Sequence, residues 1–388
     1  MDTLNRLKER LDTLCIFRDF LADDVINRLC EYIENPSVSA YADFVGALYK
    51  ANGGNISLYV KKLCSDSENV YVCTVGRGVE PEFYMKDALD NELSILQDIA
   101  DLTFERLCGV LSYDGFLPRF VSEKTEIKAN YYHRIENISK YGYGIYAQNG
   151  SFCLDANGNI TPVKTPDTIQ LSELVDYERE RGIIIDNTKD LLNNKPAANI
   201  LLTGDAGTGK SSSVKAVANA FFEQGLRIIE VRKDQLHSIS HLLETLSDNP
   251  LKFILFIDDL SFLKDDDNFN ALKAVLEGSV SAKSKNVVVY ATSNRTHIVK
   301  ERFSDREGDE IHVNDTLQEM MSLSNRFGIH ITFEKPDKDT FLHIVHHMAE
   351  ENGIQMPESQ IDLLAERFAL ERGGRSARAA KQFIDSIL

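Results

Sequence analysis

The residues richest in chemical potential lie mid-chain, in Ile200-Leu-Leu-Thr-Gly-Asp-Ala-Gly-Thr-Gly-Lys-Ser-Ser212, where a short apolar run meets the pattern G-x-x-x-x-G-K-S. This is the pattern of a phosphate-binding loop. Gly204, Gly207 and Gly209 let the backbone take positive φ and bring its N–H groups close to the phosphates of a nucleotide, beside the positive end of a helix. Asp205, Ala206, Thr208 and Ser212 complete the cradle. Lys210 is placed to reach the outer phosphates, and the Ser211 hydroxyl is placed to ligate Mg²⁺ next to them. ATP and Mg²⁺ are therefore the expected cofactors.

Two further stretches end in polar groups suited to the same task. Phe253-Ile-Leu-Phe-Ile-Asp-Asp259 is an apolar run that delivers paired carboxylates. Asp258 is expected to hold Mg²⁺, and Asp259 stands where a glutamate would commonly polarise the attacking water. Val287-Val-Val-Tyr-Ala-Thr-Ser-Asn294 ends in an amide, which offers both a donor and an acceptor to a γ-phosphate or to that water.

Strands and helices must hold these groups together. Ile200–Leu202 reads as a buried strand, and Ser213–Phe222 carries apolar residues at helical spacing, so the loop has its strand-then-helix context. Arg227–Val231, Phe253–Ile257, Val287–Ala291 and Ile329–Phe333 read as further short strands, buried on both faces. Alternation of these strands with helices implies a parallel sheet with its ligand at the carboxyl ends of the strands. Residues from Lys338 onward read as three helices, Lys338–Asn352, Glu358–Leu370 and Ser376–Ile387, which form a small lid.

The region before residue 165 has a different character. Leu4–Phe17, Asp19–Ile33, Val38–Tyr49, Ile56–Leu63 and Lys86–Cys108 are periodic helical segments. From Tyr131 to Val163 short β-type runs are expected, Gly144–Ala147, Ser151–Leu154 and Ile160–Val163, joined at Asn149-Gly150 and Asn157-Gly158 into a meander. Tyr131, Tyr132, Tyr141, Tyr143 and Tyr146 gather there with Lys124, Lys128, Arg134 and Lys140, a mixture able to stack on bases, although packing within a small fold is the preferred reading. The expected domains are thus 1–165, helical with a β-meander, 166–335, the α/β unit, and 336–388, the lid.

Taken together, the phosphate loop, Asp258-Asp259, Asn294, Ser324-Asn-Arg-Phe-Gly328 and Gly374-Arg-Ser-Ala-Arg-Ala-Ala380 resemble a AAA+ ATPase over about Leu171 to Leu388. Pro196–Asn199, Asp258–Ser261, Leu272–Gly278, Ala291–Arg295 and Ser322–Gly328 further resemble one bacterial AAA+ family known only as a domain of unknown function. The resemblance implies a P-loop α/β fold with a five-stranded parallel sheet of order 5-1-4-3-2, a helical lid, and a nucleotide held between subunits of a homo-oligomer that forms on ATP binding. It implies Asn294 as sensor 1, Arg326 as the arginine finger offered to a neighbour, and Arg378 as sensor 2, with Arg375 as the alternative. Leu174–Tyr177 resembles the adenine-side segment, with Asp176 where a glycine is usual.

Composition limits the partners. The 388 residues carry a formal charge of −17, which repels nucleic acid and anionic lipid and counts against a nucleic-acid partner. No apolar run approaches the roughly 18 residues needed to span a bilayer, so no membrane partner is expected. Leu4, Leu7, Leu11 and Leu14 line one face of a packing helix, not a signal peptide. The six cysteines show no Cys-x-x-Cys pair and are expected as free thiols in a reducing cytoplasm. His343, His346 and His347 share a helix face and are read as a half-exposed surface in preference to a metal site. Asp265–Asp267 reads as a solvated helix start, and Ser304–Glu310 as a polar loop. The expected function is an ATPase that remodels a macromolecular client; the alternatives are a slow ATP-dependent switch or scaffold, and a nucleic-acid motor or loader.

Overall fold

The computed structural model describes residues 2–260, 272, 273, 276, 285–294 and 326–388. Asp265–Asp267, Ser304–Glu310, Ser261, most of Leu272–Gly278, Arg295 and Ser322–Asn325 lie outside the described residues. The described chain forms two compact units, residues 1–148 and 149–388.

The first unit is helical. Its helices Asp24–Glu34, Val38–Asn52, Ile56–Asp66 and Phe104–Cys108 start where Asp23, Ser37, Asn55 and Thr103 accept hydrogen bonds from the otherwise orphaned first-turn N–H groups. Leu4, Leu7, Leu11 and Leu14 are all buried, as their spacing predicts, and join a core that includes Leu29, Phe44, Leu48, Val60 and Leu93. At the centre of this unit Glu92, 2% exposed, accepts from the backbone N–H groups of Cys15 (2.9 Å), Ile16 (3.1 Å) and Phe17 (2.9 Å). One carboxylate thus satisfies three consecutive donors at the exit of the first helix.

The expected β character from Tyr131 is corrected by the structure: Ile127–Glu136 and Ile138–Tyr141 are helices and Gly144–Tyr146 is a 3₁₀ turn. Gly142 and Gly144, at φ 61° and 57°, break the backbone there instead of extending it. The tyrosines are absorbed by packing. Tyr131, Tyr143 and Tyr146 are buried, Tyr132 donates to Asp90, and Tyr141 lies under the Arg134 guanidinium at 4.8 Å.

Among the described residues, the second unit is built on a seven-stranded sheet. Its strands are β1 (Ser151–Leu154), β2 (Ile160–Pro162), β3 (Ile200–Gly204), β4 (Leu226–Glu230), β5 (Lys252–Ile257), β6 (Val287–Ser293) and β7 (Ile329–Phe333), in the order β2-β1-β4-β5-β6-β3-β7. With the phosphate-loop strand β3 counted first, β7-β3-β6-β5-β4 is the expected 5-1-4-3-2 parallel arrangement. The hairpin β1-β2 extends it, because β1 pairs in parallel with β4 while β2 returns antiparallel through the Asn157-Gly158 turn. This corrects the expected boundary at residue 165. The hairpin belongs to the second unit, since β4 would otherwise be an open edge and pairing with β1 satisfies its ladder.

Burial follows strand position. β3, β5 and β6 are apolar and buried along almost their whole length, as central strands must be. β7 is an edge strand and alternates, with Ile331 and Phe333 buried and His330 and Thr332 exposed, in place of the expected burial on both faces. The lid helices Lys338–Glu351, Glu358–Glu371 and Ala377–Ile387 bury Phe341, Ile344, Val345, Ala365, Phe383 and Ile384 against one another.

Candidate active site

The loop after β3 takes its shape from two close approaches. A Cβ on Gly204, at φ 136°, would lie 2.0 Å from the Phe333 carbonyl oxygen of β7. At Gly207, φ 82°, it would lie 2.9 Å from Cβ of Arg378 in the lid. Only glycine fits either place. Gly209 N-caps the helix Lys210–Ala220, so the helix amino end faces the loop. Asp205 and Ala206 are exposed at the crest, Thr208 is buried and donates to the Asp205 carbonyl at 3.0 Å, and Ser212 lies in the first helical turn.

Lys210 is only 4% exposed, not solvent-facing as a loop lysine would be. Its Nζ donates to the carbonyls of Gly204 (2.9 Å) and Asp205 (2.7 Å) and to Oδ1 of Asn294 (3.1 Å). Burial pushes its pKa down from the ordinary lysine value, and the Asp205, Asp258 and Asp259 carboxylates push back up. The ammonium is pre-aimed by acceptors whose geometry a phosphate can take over.

The two acidic positions are held differently. Oδ1 of Asp258 accepts from Ser211 Oγ at 2.6 Å and from Thr292 Oγ1 at 2.5 Å. Asp259 sits at φ 53°, a left-handed backbone rare outside glycine, and its Oδ1 accepts from Asn294 Nδ2 at 2.9 Å. Asn294 therefore spans the site, with its oxygen on Lys210 and its nitrogen on Asp259. This dual use matches the donor and acceptor that an amide provides. Ser211 and Asp258 place two hard oxygen donors side by side, a set that could hold Mg²⁺ were phosphates to supply the remainder.

The lid closes on the loop through its backbone, because the Arg378 N–H donates to the Gly207 carbonyl at 3.2 Å. The exposed Arg378 side chain is near enough to help lower the Lys210 pKa. Arg375 is engaged elsewhere, in a two-point pair with Glu366 at 2.8 and 2.6 Å. Of the two candidates, Arg378 is the one at the loop. Asp176 and Tyr177 both have left-handed backbones, φ 58° and 61°, a conformation that glycine adopts without strain.

Arg326 is not brought to this cluster within one chain. β3 and β7 are parallel with Ile200 opposite Ile329 and Gly204 opposite Phe333, so Arg326 precedes β7 at the sheet edge away from the loop. Four residues of strand rise separate those edges by about 13 Å. Phe327 beside it is 2% exposed and anchors the turn.

The lid histidines hold separate carboxylates: His343 faces Asp176 at 3.1 Å, His346 faces Asp362 at 2.7 Å, and His347 faces Glu351 at 3.6 Å. Among the described residues no three His, Cys, Asp or Glu side chains gather to hold a metal, the six cysteines are free thiols, and no helix is long and apolar enough to cross a membrane.

A family model described as "Protein of unknown function (DUF815)" matches residues 148–388. The chain belongs to that family. The match to the DUF815 family begins where the second structural unit begins, so sheet, hairpin and lid all lie within it. No curated protein matches the chain. Among solved structures it is similar to the Thermotoga maritima RuvB Holliday junction branch migration motor, at 15% identity over 56% of this chain and 63% of that one, with a TM-score of 0.38. A singly substituted form of that motor gives 15% identity, 56% and 64% coverage and a TM-score of 0.40. The chain spans less than two thirds of the length of these motors. The strand order, phosphate loop and helical lid of this DUF815 member are the arrangement that the sequence resemblance to AAA+ ATPases implies.

Sequence reasoning missed Thr292, a residue of β6 whose hydroxyl bridges Asp258 and the Asp259 N–H. The signal was present: Thr292 and Asn294 are two residues apart, and period-2 geometry puts both on one side of the strand.

Proposed function

We propose that this protein binds ATP with Mg²⁺ at the Gly204–Ser212 loop and hydrolyses it as a cytoplasmic homo-oligomer that remodels a macromolecular client. The observation carrying this reading is the convergence of Lys210, Ser211, Asp258, Asp259, Asn294 and Arg378 on one glycine-shaped loop. Ser211 and Asp258 would hold the metal, which supplies charge neutralisation between the outer phosphates when bound. Lys210 holds the phosphate oxygens, Asp259 takes a proton from the attacking water, and Asn294 orients that water. Arg378 carries lid movement to the nucleotide.

Asp258→Ala is expected to weaken Mg²⁺-dependent nucleotide binding. Asp259→Asn is expected to leave binding intact and lower turnover by about 10²-fold or more, since proton transfer by a positioned base supplies that order of rate. Phosphate release and nucleotide titration on the two variants check this, and equal turnover in Asp259→Asn and the parent removes Asp259 from the catalytic set. A slow-turnover switch is the second reading, favoured by the contact that ties the short Asp259 side chain to Asn294.

The place of Arg326 at the far sheet edge supports an action on the neighbouring subunit's nucleotide. A finger supplied in trans is worth about 10³-fold or more in rate. Mixing Arg326→Ala with Lys210→Ala, each inactive alone, is then expected to restore part of the activity, because some interfaces pair an intact loop with an intact finger. No recovery under conditions where light scattering shows co-assembly would contradict it.

A further inference from the structure

Thr292 lies on β6 and is 2% exposed. In the register of β5 and β6, Ile257 pairs with Ala291, so Thr292 stands beside the point where β5 gives way to the acids. Its hydroxyl donates to Asp258 Oδ1 at 2.5 Å and accepts the Asp259 N–H at 3.0 Å. Its carbonyl accepts the Leu260 N–H at 2.7 Å. One residue thus grips three consecutive residues, 258 to 260, just where Asp259 adopts a left-handed backbone that an ordinary strand would not hold.

The polarity of the hydroxyl is fixed by these partners. A carboxylate oxygen can only accept and an amide N–H can only donate, so the single hydroxyl proton points at Asp258 and a lone pair points at Asp259. The Asp258 carboxylate receives both Ser211 and Thr292 on one oxygen, Oδ1, which fixes its orientation before any ligand arrives. We propose that Thr292 is the positioning residue of this site, aligning Asp258 toward the metal and Asp259 toward the water through one hydroxyl; this rests on the ATPase reading above. Groups that orient a metal ligand from behind typically cost about 10- to 100-fold in metal affinity or activity when removed.

The test uses the full chain, with Mn²⁺ as the probe and ADP as the nucleotide, following the free-Mn²⁺ electron paramagnetic resonance signal, alongside steady-state phosphate release. Thr292→Val keeps the shape and loses the hydroxyl, whereas Thr292→Ser keeps the hydroxyl. Thr292→Val is expected to raise the Mn²⁺ midpoint about tenfold or more, to lower kcat and to raise KM for Mg²⁺·ATP, with metal-free ADP affinity near the parent's; Thr292→Ser is expected to stay near the parent in all four. Parent-like Mn²⁺ binding in Thr292→Val overturns the proposal, as does a Thr292→Ser variant as impaired as Thr292→Val, which would assign the effect to packing. Should valine prevent folding, Thr292→Ala is compared with Thr292→Ser by the same readout. A parent protein that takes up no nucleotide overturns the wider reading instead, and metal-free ADP affinity separates the two failures.

Discussion

Lys210→Ala is expected to lose ATP affinity by about a hundredfold or more. The ammonium is nearly inaccessible and already aimed by three acceptors, so it meets a phosphate without being ordered at that moment. Truncating one member of a buried, hydrogen-bonded charge pair costs about 2–5 kcal/mol, which spans that loss. Folding is expected to survive. The lysine is disfavoured by its own burial, and the carbonyls it leaves lie in a loop whose crest reaches water. The direction of the pKa shift adds a pH signature. In the empty site Lys210 lies below the ordinary lysine value, and a bound polyphosphate raises it, so binding takes up protons and affinity falls as pH rises on the alkaline side. Calorimetry with ATP and Mg²⁺ at two pH values reads both effects; unchanged affinity in the variant places the nucleotide elsewhere.

Glu92→Leu is expected to be the most damaging single change to the first unit. The carboxylate serves three backbone N–H groups in a row, two of them on the buried residues Ile16 and Phe17. Each buried donor left unsatisfied costs about 1–3 kcal/mol, and relief from carboxylate desolvation returns part of it, giving a net loss of about 3–5 kcal/mol. Domains of this size are stable by only about 5–15 kcal/mol. Glu92→Gln keeps one acceptor oxygen and should fall between. Amide hydrogen exchange at residues 15–17 and along the helix Phe83–Ala100 measures the loss, and unchanged protection would show that water or another group satisfies those donors.

How far the sequence could be read depended on the range of the interaction involved. The phosphate loop, β5 with its terminal acids and β6 with its terminal amide are local patterns, and each lies where periodicity placed it. Leu4, Leu7, Leu11 and Leu14 were legible because their helix exposes one face to one core. What was not legible required a partner distant in sequence. The β1-β2 hairpin reads as its own meander until β4, more than sixty residues on, supplies the edge it completes. Glu92 looks like one more exposed helix acid until the first helix ends against it, 75 residues away from Phe17. Asp176 read as a departure from glycine until its backbone showed the conformation that glycine would serve. The choice between Arg378 and Arg375 needed Glu366, which occupies the second of them.

Steady-state phosphate release from Mg²⁺·ATP by the full chain, followed over a range of protein concentration, measures both the proposed turnover at the Lys210 loop and the proposed help from a neighbour. Release is expected to rise in rate per subunit as the protein assembles, and to fall by about 10²-fold or more in Asp259→Asn although nucleotide stays bound. Absence of release above background contradicts turnover, and a rate per subunit independent of concentration contradicts the shared site.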